Sequence, residues 1–171
     1  MSTSVSVYTN AHSVTHVADN MLHSLHQIIR ESGLSPEKLV GEWKSLRLAI
    51  STWLNSGHLR TVILEVYDPT VGFPDGLIAP RWDFDISYGT AGDGSMWVNT
   101  EDIKYHIRKA GKWPSQCEYR VILMTGPNEP YVTGWSDTHL RSTAGFVRQG
   151  IGTTIDGNGY ISAGSAYWRK K

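Results

Sequence analysis

Two acidic residues stand two positions apart in the run RWDFDISY, namely Asp83 and Asp85. Carboxylates at this spacing lie on the same face of a β-strand, where they could hold a divalent metal ion for nucleotidyl transfer. Such an enzyme also needs a loop that grips phosphate, and although Gly94 and Ser95 follow the run, nothing in the chain resembles a P-loop. A small metal-dependent enzyme acting on nucleotides is therefore the alternative hypothesis, and a solvated strand face is favoured.

Histidines are the next candidates for metal chemistry. His12 and His16 are spaced for joint ligation, but the run HSVTH lacks the glutamate of the HExxH zinc enzymes. Partly exposed helix histidines are the favoured interpretation for these two and for His23 and His26. Cys117 has no activating base beside it, which is typical of a small buried hydrophobic residue. We predict no catalytic residue, no metal site and no cofactor.

Composition excludes several kinds of partner. Sixteen basic and sixteen acidic side chains leave no net field that would draw the protein to nucleic acid or to an anionic membrane. No apolar run reaches the roughly 20 residues of a membrane span, and the opening run MSTSVSVYTN lacks the features of a secretory signal. We expect a cytoplasmic protein that contacts neither membrane nor nucleic acid directly.

Tryptophans could instead form a carbohydrate-binding surface. Trp43 and Trp53 fall on the apolar side of a predicted helix, and Trp82 falls on the apolar face of a predicted strand. Packing in the core therefore explains them better than sugar binding does.

Apolar residues at steps of three and four predict three helices. The first runs from Asn10 to a stop at Gly33. The second begins with the capping sequence Ser35-Pro36-Glu37 and ends at Gly57. The third is capped by Asn99 or Thr100 and ends at Gly111.

Four further runs have the character of β-strands. Thr61 to Tyr67 is nearly continuously apolar, which predicts a central strand covered on both faces. Arg81 to Tyr88 alternates strictly, which predicts one dry face and one solvated face. Met96 to Val98 and Glu118 to Thr125 are the other two, and Val5 and Val7 suggest a short N-terminal strand or arm.

After Pro130 the composition shifts toward glycine, serine and threonine. The turn sequence DGNG at residues 156–159 lies between β-prone runs at 153–155 and 160–162, which predicts a hairpin. Because glycine tolerates more than one backbone pairing, we interpret this tail as a movable latch, with a permanently docked hairpin as the alternative. The large side chains that could anchor a docked tail are Ile155, Tyr167 and Trp168.

Several blocks of the sequence together resemble one family. The blocks are SVSVYTNAHSVTHVADNML, WLNSGHL, VILEVYDP, RWDFDISY, DGSMWV, LRSTAGFVRQGIGTTI and AGSAYWRK. They resemble the bacterial HORMA-domain proteins of CBASS, the cyclic-oligonucleotide antiphage signalling operons. The resemblance spans almost the whole chain, and the loop from Thr70 to Pro80 departs from the family pattern by its length.

The resemblance implies a single α+β domain over residues 1–171, with helices packed on an antiparallel sheet. Residues 1–130 would form the core, and residues 131–171 would form a mobile "safety belt". In that family the belt closes over a short partner peptide, the closure motif, which adds as a strand to a sheet edge. The closed complex is implied to bind and activate a cGAS-like nucleotidyltransferase, and an AAA+ remodelling ATPase reopens it. The implied role is that of a peptide-binding signalling adaptor without enzymatic activity.

Chain order maps these roles onto the sequence. With the strand at 61–67 in the middle of the sheet, the closed tail would pair with the edge at Arg81 to Tyr88, and the peptide with the edge at Glu118 to Thr125. The implied peptide-binding residues are Tyr119, Arg120, Val121, Ile122, Leu123 and Met124. The implied belt residues are Gly150, Gly152, Thr153, Thr154, Ile155, Tyr167 and Trp168. The implied handle for the ATPase is the N-terminus, at Ser2, Thr3, Ser4 and Val5.

Overall fold

Helices pack on one face of a six-stranded antiparallel sheet in the computed structural model, which describes residues 10–78, 80–89 and 95–171. The helices are α1 (Asn10–Glu31), α2 (Glu37–Gly41), α3 (Trp43–Asn55) and α4 (Thr100–Ala110). The strands are β1 (Leu59–Tyr67), β2 (Arg81–Tyr88), β3 (Met96–Val98), β4 (Glu118–Thr125), β5 (Phe146–Gly157) and β6 (Ile161–Lys170). The α+β fold class predicted from the sequence is confirmed.

Helix α1 is the central helix of the core, as its apolar periodicity predicts. It packs against α3, α4 and strands β5 and β6. Gly33, at a φ of 101°, ends the helix where the sequence placed its stop. No helix in the described ranges is long and apolar enough to cross a bilayer. The fully buried side chains of α1 include Val17, Met21, Leu22, Leu25, Ile28 and Ile29.

The second predicted helix is wrong in one respect, because the chain forms two helices there. Helix α2 ends at Gly41, a residue of low helix propensity, and the Leu46 N–H starts a new helical turn by donating to the Glu42 carbonyl at 2.9 Å. Trp43 opens α3 and is only partly buried. It packs edge-on to His23, with 5.5 Å between ring centroids, while Trp53 is buried in the core as predicted.

The strand order is β3-β5-β6-β2-β1-β4. The central position of β1 is confirmed, since Val62 stands opposite Phe84 of β2 and opposite Leu123 of β4. Strand β1 begins at Leu59, two residues before the predicted start. Its even-numbered apolar residues face the helices, and Ile63 and Glu65 face the other side of the sheet, where both are fully buried.

The C-terminal hairpin, strands β5 and β6, is far longer than the short strands predicted at 153–155 and 160–162. Glycines lower β-propensity but still pair through the backbone, so the ladder continues past them with irregularities at Gly150/Gly152 and Thr153/Ile155. Strand β6 pairs with β2 over the whole length of β2, from Arg81 to Tyr88. This confirms the pairing of the tail with the Arg81 to Tyr88 edge.

The hairpin also completes the hydrophobic core. Tyr167 is almost fully buried and stacks against Trp82 of β2 with 5.1 Å between ring centroids. Ile155 and Ile161 are buried in the same cluster as α1. The predicted arm at Val5 and Val7, the implied handle at Ser2 to Val5 and the Gly-rich turn around Gly94 lie outside the described residues.

Candidate functional site

Strand β4 has one free edge in the part of the chain that the structure describes. It pairs with β1 in a continuous register that ends with Thr61 opposite Met124, and no described strand lies on its other side. The other edge predicted from the sequence, β2, is covered by β6. Because an edge strand offers unpaired N–H and C=O groups, a further strand can add to β4, which is eight residues long, whereas β3 at the other end of the described sheet has three residues.

The six predicted peptide-binding residues divide between the two faces of β4. Tyr119, Val121 and Leu123 pack toward the helices, and Arg120, Ile122 and Met124 face the other side. Tyr119 fixes the start of the strand, since its hydroxyl donates to the Ser35 carbonyl at 2.9 Å. Met124, at the far end, is 43% exposed.

A groove of about 510 Å³ runs along β4. Its outer wall is formed by the crossing segment, residues 126–145, which connects β4 to β5. Trp53 of α3 supports this wall, because its indole N–H donates to the Pro130 carbonyl at 2.7 Å and its ring packs edge-on to Trp135. The apolar lining includes Trp53, Val121, Leu123, Val132, Trp135 and Leu140.

A buried carboxylate ties the crossing segment to the sheet. Glu65 of β1 is fully buried and accepts hydrogen bonds from Arg120 of β4, at 2.7 Å, and from Arg141. Arg141 donates two hydrogen bonds to the Glu65 carboxylate, one from its guanidinium at 2.6 Å and one from its backbone N–H at 2.8 Å. Arg120 also donates to the His139 carbonyl at 2.6 Å and to the Thr138 hydroxyl at 3.1 Å. The far end of the groove is thus closed by charge-assisted hydrogen bonds.

The network keeps Glu65 ionised. Burial raises the pKa of this carboxyl, but the hydrogen bonds from Arg141 and Arg120 outweigh it and leave the pKa below its ordinary value. The ion pairs therefore persist throughout the neutral range.

The loop from Thr70 to Pro80 contacts the crossing segment. The Pro74 carbonyl accepts from the Ser142 N–H at 2.8 Å. The Arg141 guanidinium lies 3.8 Å from the ring centroid of Tyr67 and 5.8 Å from that of Phe73. The loop therefore supports the residue that ties the crossing segment to Glu65.

A second charged cluster holds the end of the hairpin, and it corrects the prediction of a solvated face on β2. Asp83 and Arg81 are both buried and form a two-pronged ion pair, at 2.8 and 3.0 Å. The Trp168 indole N–H donates to Asp83 at 3.0 Å. Arg148 of β5 pairs with Asp85, which stays exposed. The face is dry at Arg81 and Asp83 because the docked hairpin covers them.

The same cluster bears on the metal hypothesis. Both carboxylates of the RWDFDISY run are engaged with arginines, and no described group of three or more histidine, cysteine or acidic side chains is arranged to hold a metal ion. Cys117 is buried, as predicted, and burial raises the pKa of its thiol. Nothing in this geometry favours the metal-dependent enzyme.

Helix α4 contacts the docked hairpin through His106. Its Nδ1 lies 3.2 Å from the Tyr167 hydroxyl, and the two rings are 5.4 Å apart. Burial lowers the pKa of His106, and nearby Lys109 lowers it further against an opposing effect of Asp102. Burial and Lys109 together favour the neutral imidazole.

The predicted belt residues do not all play the same part. Ile155, Thr154 and Tyr167 are buried, and Trp168 is partly buried, so these four contact the body of the protein. Gly150, Gly152 and Thr153 are exposed. Sequence reasoning missed Glu65 and Arg141, and it named Arg120 only as a peptide-binding residue. The signal was a single acid in the apolar run TVILEVY, which requires a buried partner.

The fold and the site together define a class. An antiparallel sheet covered by helices, a C-terminal hairpin docked on β2 and a free β4 edge beneath a crossing segment are features of the HORMA fold, and the solved structures agree. C. elegans HTP-2 bound to the HIM-3 closure motif matches with a TM-score of 0.74 and 13% identity, covering 96% of this chain and 92% of that one. A chain of the mitotic checkpoint complex matches with a TM-score of 0.69 and 13% identity, covering 96% and 98%.

A bacterial structure also matches. A chain of the E. coli CdnC:HORMA-deltaN complex has a TM-score of 0.53 and 13% identity, covering 92% of this chain and 89% of that one. No curated protein matches the sequence. The family model of Bacterial HORMA domain 2 matches residues 2–171, and the chain belongs to that family.

Proposed function

We propose that this protein is a peptide-binding signalling adaptor of bacterial antiphage defence, without enzymatic activity. The observation that carries the proposal is the free edge of β4 beside an apolar groove, beneath a crossing segment tied to the sheet. A closure-motif peptide adds to β4 as a strand, so main-chain hydrogen bonds hold it and the groove selects its side chains. The HTP-2 structure, which contains a closure motif, supports this arrangement.

Residues 131–171 act as the mobile belt in this proposal, on a core formed by residues 1–130. With the hairpin on β2 and the crossing segment over the groove, the arrangement corresponds to a closed belt. A bound peptide leaves only when the crossing segment parts from Glu65 or when the hairpin leaves β2. Conformational exchange of the belt therefore sets the lifetime of the peptide complex.

The closed protein binds and activates a cGAS-like nucleotidyltransferase of a CBASS operon, and an AAA+ ATPase reopens it by engaging Ser2 to Val5. The likeness to a chain of the E. coli CdnC:HORMA-deltaN complex supports the nucleotidyltransferase as a partner, and the reopening ATPase is the partner that the family resemblance implies. All of these partners would be met in the cytoplasm.

The test reconstitutes this protein with the nucleotidyltransferase encoded in the same operon. Cyclic-oligonucleotide synthesis from nucleoside triphosphates should rise only when the protein and a bound peptide are both present. Trp135→Ala, which opens the groove wall, should reduce the activation, and Tyr105→Ala, an exposed aromatic residue on α4, is the matched control. Synthesis that does not depend on this protein, or an operon without such an enzyme, would contradict the proposal.

A further inference from the structure

The groove along β4 is lined by two acidic side chains as well as by apolar ones. Glu129 and Asp137 line it, and no lysine or arginine does. Neither carboxylate has a hydrogen-bond or ion-pair partner within the described ranges. Three acids of the sheet differ, since Glu65, Asp83 and Asp85 are all paired with arginines. Two unpaired acids therefore face the place where a peptide would lie.

The two acids stand at opposite ends of the groove. The crossing segment starts at the Thr125 end of β4, where the Gly126 N–H donates to the His58 carbonyl at 2.8 Å, and Glu129 follows three residues later. The segment reaches the other end at Thr138, which accepts from Arg120, and Asp137 precedes it. Asp137 and Glu129 thus bracket the groove along the strand direction.

Between the acids the groove is apolar. Val132 is buried, and Trp135 packs against Trp53 on the side that faces β4 residues Val121 and Leu123. Five consecutive β4 residues line the groove, 121–125, and at about 3.3 Å per residue a paired strand of about five residues spans it. The central side chain of such a strand contacts the apolar part of the groove. The residues at the two ends of the strand lie beside Glu129 and Asp137.

We infer that the preferred occupant is an extended peptide with an apolar residue at its centre and lysine or arginine toward both ends. This inference rests on the proposed function and specifies its ligand. Charge complementarity argues against an acidic peptide, which would place like charges beside Glu129 and Asp137. Arg120, the cation at the Asp137 end, is already paired with Glu65. Arg60 lies against Gly126 but outside the groove lining, so it leaves Glu129 available.

The test is a selection of random nine-residue peptides displayed on phage against the full-length protein. The expected pool is enriched in lysine and arginine on both sides of an apolar residue. The double variant Glu129→Gln with Asp137→Asn should lose the basic enrichment but keep the apolar one. It should also bind the best basic peptide on the order of tenfold more weakly, since two exposed ion pairs are lost. The double variant Glu42→Gln with Glu101→Gln, which neutralises exposed acids away from the groove, is the matched control.

The outcomes separate this inference from the proposed function. Retained peptides without a basic bias, or with an acidic one, would overturn the inference and leave peptide binding intact. Equal binding of the neutral peptide MSTSVSVYT, residues 1–9 of a second copy, would also overturn it. A selection that enriches no peptide would overturn both.

Discussion

Glu65 is a carboxylate at the centre of the sheet, and its ionisation decides how firmly the crossing segment is held. Glu65→Gln should lower the free energy of unfolding by about 2–3 kcal/mol, because Arg120 and Arg141 lose their shared counter-charge in a partly buried site. Urea unfolding measures the change. Asp19→Asn, which breaks the half-exposed pair with Arg47, is the control and should cost less than about 1 kcal/mol. Equal losses in the two variants would contradict the role of Glu65.

The direction in which the pKa of Glu65 is shifted determines how stability changes with pH. A carboxyl whose pKa is lowered in the folded state contributes stability that is complete above its ordinary pKa and is lost as pH falls through the lowered value. The tie to the crossing segment should therefore be constant near neutrality and weaken only in acid, below about pH 4.

His106 places a second titration nearer to neutral pH. Burial and nearby Lys109 lower its pKa from 6.5 in the folded protein, so protonation favours states in which this packing against the hairpin is opened. The stability linked to the neutral imidazole is complete above pH 6.5 and is lost as pH falls through the lowered pKa. Protection factors in β6, which correct for the intrinsic slowing of amide exchange as pH falls, should decrease between pH 7.5 and 5.5, and His106→Gln should reduce that decrease. A decrease unchanged by His106→Gln would show that other groups cause it.

At the scale of elements, the sequence predicts what repeats along the chain and misses what depends on a distant partner. Helix α1 follows from its apolar periodicity and strand β1 from its nearly continuous apolar run, because each buries its own side chains. The length of β5 and β6 does not, since their glycine-rich runs pair through backbone groups that have no sequence signal. Burial of Asp83 was missed for the same reason, as it requires Trp168 from the far end of the chain.

The contact between α1 and the hairpin depends on one glycine. A Cβ on Gly157 would lie 2.1 Å from the Ser13 hydroxyl oxygen and 2.9 Å from the Ile161 carbonyl oxygen, so Gly157→Ala should push the hairpin away from α1 at a cost of about 1–3 kcal/mol. Gly150→Ala is the matched control, because nothing lies within 4 Å of its added methyl group. Hydrogen exchange over residues 146–170 compares them. Equal protection in both variants would show that the approach at Gly157 does not limit docking.

At the scale of the whole molecule, one stretch of chain links the free edge of the sheet to the docked hairpin. The crossing segment connects β4, the strand with the free edge, to β5 of the hairpin, and the hairpin pairs with β2 through β6. Removing residues 151–171 would uncover β2 and take Ile155, Ile161 and Tyr167 from the core. Such a truncation therefore unfolds part of the body as well as opening the belt. A single substitution at the end of the hairpin separates the two effects.

Trp168 provides that substitution, because it contacts Asp83 and Arg81 and takes no part in lining the groove. Trp168→Ala should loosen the hairpin and raise hydrogen exchange in β6. If the belt holds the peptide, the same variant should shorten the lifetime of a peptide on β4 on the order of tenfold, since coupling between distant sites is usually worth a few kcal/mol. The reciprocal effect follows from linkage, so bound peptide should slow exchange in β6. Val147→Ala, at an exposed position on β5, is the control. Faster hydrogen exchange in β6 with an unchanged peptide lifetime would show that the hairpin and the β4 edge act independently. It would contradict the proposal that the belt retains the peptide.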